Sequence, residues 1–350
     1  MQRKRINWID LAKVICIWLL VVCHSGQRGM ILTITHQFFM PAFFIISGIL
    51  YRPKGVKNTL ISFGFPILLF GTIYIVYYIG KMYLQWKHGA LLYADAEALT
   101  FAEMCWGTAI NWLKSFIFSS SPSVFRGYWF VATLLFLRLL YEVNVVRRYK
   151  VSIAVACILW CCAEPFLPVP STLVSFRPYM VISCLPFFTI GILLTEYKVD
   201  VMKGSFEWKI LISCIFFILT LIQGRPDMSL HQYGLTYAVF FINALLGSYI
   251  LFNICANAPQ NRKWLIHLSN GTLLILGTHG WICPYVKKIL SLPVLHTSSP
   301  YLPLFVGIIT LAICYPVIVW ADKKYPLVLG KLRPKAVKID SSKTKVADQK

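Results

Sequence analysis

The first apolar run of the chain carries an aspartate, a lysine and a histidine: Asp10, Lys13 and His24, separated almost wholly by Leu, Ile, Val, Ala, Cys and Trp. A hydrocarbon environment penalises each ionisable group by roughly 2.5–3.5 kcal/mol on insertion scales, so three in one span need a compensating role. At about 100° and about 1.5 Å per residue, Lys13 and His24 are about 20° apart around a helix and about 16 Å apart along it, with Asp10 about 40° off the same line. The three side chains therefore share one stripe, a polar track across much of a bilayer.

The rest of the chain reads as membrane protein. It is 58% hydrophobic and 13% charged, with a mean hydropathy of +0.67, which excludes a soluble globular domain. Apolar stretches near 9–26, 34–51, 58–79, 128–146, 151–168, 178–195, 208–223, 233–255, 265–285 and 302–320 are expected to form about ten transmembrane helices. The fold class is thus an all-α integral membrane bundle. With both termini cytoplasmic, 23 of the 34 Lys and Arg fall inside and nine outside, so the net charge of +21 reports topology and contact with anionic lipid. No nucleic-acid module accompanies it. Residues 1–330 form one membrane domain, and the basic, polar 331–350 is expected to be a disordered cytoplasmic tail. Asp10 and Lys13 interrupt the first apolar run and no small-x-small site follows, so the segment is read as retained and not as a cleaved signal.

Candidate chemistry gathers at one depth. Imidazole titrates near neutrality and serves as base and then acid in one cycle, which singles out His24; a packed, hydrogen-bonded histidine is the plain alternative. The segment from His36 continues through Pro41 to Ser47-Gly48, where Pro41 frees a backbone carbonyl and Ser47-Gly48 permits close helix approach. The ninth segment carries Gly271 and, in its outer half, His279, at the depth of His24. Arg126 and Glu164 sit at the outer ends of the fourth and fifth segments, and snorkelling explains Arg126 nearly as well as function does. The long stretch 80–127 is read as an outer loop. The eleven cysteines show no metal-ligand spacing and read as small packing residues, so no metal site is expected. Neither a GxSxG elbow, a P-loop, GxGxxG nor HExxH occurs.

The ordered set Ile9-Asp10-Leu-Ala-Lys13…His24, Phe39-Met-Pro41-Ala-Phe43…Ser47-Gly48, Phe65-Pro66, Tyr128-Trp129-Phe130 and Gly271…His279 resembles integral-membrane acyltransferase family three over roughly residues 5–285. It looks most like the branch of sugar O-acetyltransferases of bacterial surface polysaccharides. That resemblance implies an acyltransferase of the bacterial plasma membrane with acetyl-CoA as donor, no bound cofactor and a glycan acceptor. It implies His24 as base or transient acyl carrier, with Lys13 and Asp10 at the cytosolic entrance. Lys54 and Lys57, which stand where the family has an Arg-x-x-Arg pattern, become donor-phosphate candidates; His36, Arg126, Trp129 and His279 become acceptor candidates. A transporter or flippase of a lipid-linked oligosaccharide, or a non-catalytic envelope component, would also account for a charged intramembrane track.

Overall fold

A computed structural model describes residues 6–87, 100–118, 129–174, 176–200, 203–258, 262–291 and 301–332. These form the helices α1 (Asn7–His24), α2 (Gly29–Ile49), α3 (Val56–Lys87), α4 (Phe101–Ile117), α5 (Trp129–Glu142), α6 (Asn144–Arg148), α7 (Lys150–Ala163) and α8 (Ser171–Val174). They continue with α9 (Met180–Glu196), α10 (Phe206–Gln223), α11 (Tyr237–Asn257), α12 (Lys263–Asn270), α13 (Thr272–Leu290) and α14 (Leu302–Lys324). No strand occurs among the described residues, only two isolated bridges, Phe118 with Phe176 and Asp227 with Gln232. The expected basic tail falls almost wholly outside the described residues, as does Arg126.

Each of the ten predicted segments contains a helix. Six described helices are long and apolar enough to cross a membrane: α1, α2, α3 (over Val56–Leu84), α10, α11 and α14. The 17-residue α9 is apolar but shorter. Large apolar side chains lie on the outside of the bundle, among them Leu159, Phe206, Phe217, Leu221 and Ile254. In lipid this is the expected solvent-facing surface, because hydrocarbon is as good a partner for leucine as another leucine. Burial ranks the spans: 61% of an 18-residue stretch of α2 and 56% of α1 lie inside the bundle, against 17% of α10. The helix with the charged stripe is therefore central, with Asp10 buried inside the bundle.

Two departures from the sequence expectation have clear local causes. The stretch read as one outer loop contains α4, opened by a reciprocal cap in which Thr100 Oγ1 accepts from Glu103 N at 3.3 Å and Thr100 N donates to Glu103 Oε2 at 2.8 Å. Trp112 of α4 lies against Gly71 of α3, where a Cβ would fall 2.4 Å from the indole. The ninth segment is broken at Asn270-Gly271 into α12 and α13, where the backbone of Gly271 leaves the helical conformation and a Cβ there would meet Ile318 at 2.3 Å.

Close approach of α2 and α9 forms the tightest helix pair. A Cβ on Gly48 would lie 2.1 Å from Phe188 O, and one on Gly191 would lie 2.0 Å from Ile45 O. Ser47-Gly48 thus does what its small side chains predicted. Toward the start of α2 a buried polar chain links three helices: Asn243 Nδ2 donates to Gln37 Oε1 at 3.2 Å and to Thr220 Oγ1 at 3.1 Å.

Candidate active site

The stripe on α1 is real, and its two ends face two cavities. Lys13 and Ile17 line one, Leu20, Cys23 and His24 the other, a spacing that keeps all of them on one side of the helix. The matching sides of α2 and α5 contribute to both walls.

The His24 cavity, about 240 Å³, is lined by His24, His36, Trp129, Arg225, Asp227 and Ser229 with apolar neighbours including Met40 and Met228. His279 sits behind it, 4% exposed, and bonds the His24 ring: its Nε2 is 3.2 Å from His24 Nδ1, with the rings edge to face at 4.9 Å. The direction of this bond follows from what lies behind His279. Its Nδ1 is 2.9 Å from Leu276 O and 3.2 Å from Ile275 O, and carbonyl oxygens only accept. Nδ1 therefore carries the proton and the neutral ring offers Nε2 as acceptor. His24 Nδ1–H then donates to it, which leaves His24 Nε2 with its lone pair. A backbone carbonyl thus selects, through one imidazole, the tautomer of the next.

The remaining wall is the segment between α10 and α11. Gly224 and Gly234 hold it with φ of 72° and 71°, and Asp227 caps the turn that follows, its Oδ1 accepting from Ser229 N at 2.9 Å and Ser229 Oγ at 2.5 Å. Helix α2 fastens it: His36 Nδ1–H donates to Pro226 O at 3.0 Å and Gln37 Nε2 donates to Gly224 O at 2.6 Å. His231 lies on the same segment at φ 55°, with Tyr233 OH 3.2 Å from its Nδ1 and Tyr179 packed on its ring; burial pushes its pKa down to about 4.

At the other end Lys13 and Asp10 converge on one residue of the broken helix. Lys13 Nζ donates to Ser269 O at 2.5 Å, and Ser269 Oγ donates to Asp10 Oδ1 at 2.6 Å. Ser269 belongs to the last turn of α12, where carbonyls lack helical partners and the helix dipole is negative, so an ammonium is favoured there. The break at Asn270-Gly271 is what makes that carbonyl available. The cavity beside it, about 260 Å³, is lined by Lys13, Lys54, Arg138, Asn270, Lys331 and Ser47 among apolar groups from Ile17 to Leu329.

The sequence candidates separate accordingly. The structure brings His24, His36, Trp129 and His279 together, and Lys13, Asp10 and Lys54 at the opposite end. Lys57 is exposed and does not line the cavity. Arg225, Asp227, Ser229, Ser269 and Arg138 were not among the candidates; the Gly224-Arg-Pro-Asp227 turn signature was the visible trace of the first group. Among the described residues no group of three or more His, Cys, Asp or Glu is placed to hold a metal ion.

The family model described as an acyltransferase domain, that of acyltransferase family three, matches residues 6–320. The chain belongs to this family. It is a membrane acyltransferase, and the transporter and scaffold readings are carried no further. No curated protein and no solved structure matches it.

Proposed function

We propose that this acyltransferase moves a short acyl group, acetyl in the first instance, from acyl-CoA to a hydroxyl of a surface glycan or its lipid-linked precursor. The setting is a bacterial plasma membrane, crossed about ten times, with the Lys13 cavity toward the cytosol and the His24 cavity outward. The observation that carries the reading is the His279–His24 pair: a carbonyl-anchored imidazole that leaves a second imidazole with a free lone pair on the wall of a polar cavity.

In this scheme His24 Nε2 takes the proton of the acceptor hydroxyl as its oxygen attacks the thioester carbonyl. The carbon–sulfur bond breaks, the imidazolium returns the proton to the departing thiolate, and an ester and free CoA result. Trp129, Asp227, Ser229 and His36 suit a neutral polyhydroxylated acceptor, offering an aromatic face and several acceptors for hydroxyl protons. Donor and base stand far apart, yet the geometry is workable. Lys13 and His24 are about 16 Å apart along α1, and an extended arm as long as four to five residues spans roughly 15 Å, which is the reach of a pantetheine chain.

The deciding experiment incubates the purified protein with acetyl-labelled acetyl-CoA and surface glycan. Wild type is expected to give labelled glycan, and His24→Ala of equal abundance is expected to lose at least about 10³-fold. An active His24→Ala would sink the assignment. Mass spectrometry of surface glycan with and without the gene identifies the acceptor.

A further inference from the structure

Arg138, an intramembrane cation in α5, has no part in the scheme so far. One terminal nitrogen donates to Ser47 O at 3.3 Å, and the guanidinium carbon lies 5.1 Å from the Phe63 ring centre and 5.9 Å from that of Tyr51. Its Nε is buried and has no hydrogen-bond partner among the described residues. The nearest acidic residue on α5, Glu142, is committed elsewhere. It accepts from Lys54 N at 3.0 Å, Gly55 N at 3.1 Å and Thr59 Oγ1 at 3.1 Å, and so ties the start of α3 to α5.

A guanidinium held on aromatic faces without a carboxylate in ion-pair range is expensive to bury. Its company adds to the cost, because Lys13, Lys54 and Lys331 line the same cavity and no Asp or Glu does. Lys331 is matched by Asp322 at 2.5 Å, outside the cavity lining. Lys54 is held below the usual lysine pKa by burial and then by the charge of Arg138, which Glu142 only partly opposes. Arg138 and Lys54 on one small cavity call for an anionic ligand, and the planar fork of an arginine fits adjacent phosphate oxygens where lysine gives a point charge only.

We infer that Arg138 is the principal ligand of a diphosphate bound in the Lys13 cavity, with Lys13 and Lys54 completing its charge. This rests on the acyl-CoA reading above, in which the diphosphate is that of the donor. A lipid-linked sugar presents the same group, so the test must separate the two.

The test measures binding of CoA, inorganic pyrophosphate and farnesyl diphosphate to the purified full chain in detergent, and transfer from acetyl-CoA against S-acetylpantetheine, which lacks phosphates. Arg138→Gln is expected to weaken CoA and pyrophosphate binding at least tenfold and to raise KM for acetyl-CoA similarly, while transfer from S-acetylpantetheine is unchanged. Equal CoA affinity in wild type and variant overturns the assignment, as does an equal loss with both donors. Wild type that binds farnesyl diphosphate but not CoA would refute the acyl-CoA reading and leave Arg138 its diphosphate. Should Arg138→Gln not stay monodisperse, Arg138→Lys decides: about a fivefold loss for CoA supports the role and unchanged affinity overturns it.

Discussion

The two ends of α1 solve the same problem, polar groups inside a membrane protein, in opposite ways. At the His24 end the chain Leu276 O, His279, His24 is directional: each hydrogen bond fixes where the next proton sits, and the last atom is left with a lone pair. At the Lys13 end nothing fixes a proton. An ammonium is seated on a helix-terminal carbonyl, a serine hydroxyl on a carboxylate, and the cavity wall beyond them is cationic. One end is built for proton transfer and the other for holding charge, so lesions at the two ends should separate into effects on turnover and effects on donor affinity.

His279→Ala gives the larger effect and tests the first half of that division. Without the acceptor behind it, His24 is free to place its proton on Nε2, so kcat is expected to fall about 100-fold with the KM for donor unchanged. His279→Gln, whose amide oxygen can accept from His24 Nδ1–H, should recover at least part of the rate. The pH–rate profile should differ between the two variants, because only one retains the orienting bond. Equal losses in Ala and Gln with an unaltered profile would reduce His279 to packing. Lys13→Gln tests the other half and is expected to raise donor KM about tenfold with a smaller change in kcat, matching the loss of one phosphate-facing charge. A pure kcat effect there would erase the division between the ends.

How far the sequence could see depends on whether the physics is local. Asp10, Lys13 and His24 share a helical face by periodicity alone, and Gly48 announces a close contact without naming Gly191 as its partner. The depth of His279 was readable; its bond to His24 was not, because residues 255 apart in sequence meet only through packing. Lys13 and Asp10 share a helical face by their spacing, but the structure has both also meeting Ser269, whose usefulness depends on a helix break that an apolar run does not display. Arg138 is a charge within an apolar run, but Tyr51 and Phe63, which cradle it, come from another part of the chain. The α10–α11 segment hid for a different reason: its Arg225 and Asp227 look like ordinary loop residues until α2 pins them over the cavity. Thr100-x-x-Glu103 was a readable helix start in a stretch taken for loop.

The smallest expected effect concerns stability and again separates the ends. His231 has its pKa lowered to about 4 by burial, on the segment that walls the His24 cavity. An unfolded histidine titrates near 6.5, so between about pH 6.5 and 4 the unfolded segment binds the proton that the folded one refuses. Stability is therefore full above pH 6.5 and is lost as the pH falls through that window, by at most about 3.5 kcal/mol and by less to the extent that the ring remains partly accessible. Hydrogen exchange in detergent at pH 7.5 and 5 is expected to show the 224–236 segment opening in acid while the 51–59 turn at the Lys13 end, tied down by Glu142, changes little. His231→Gln should flatten the difference. Equal acid sensitivity at both ends, or none in wild type, would show that the buried imidazole does not control the stability of that wall.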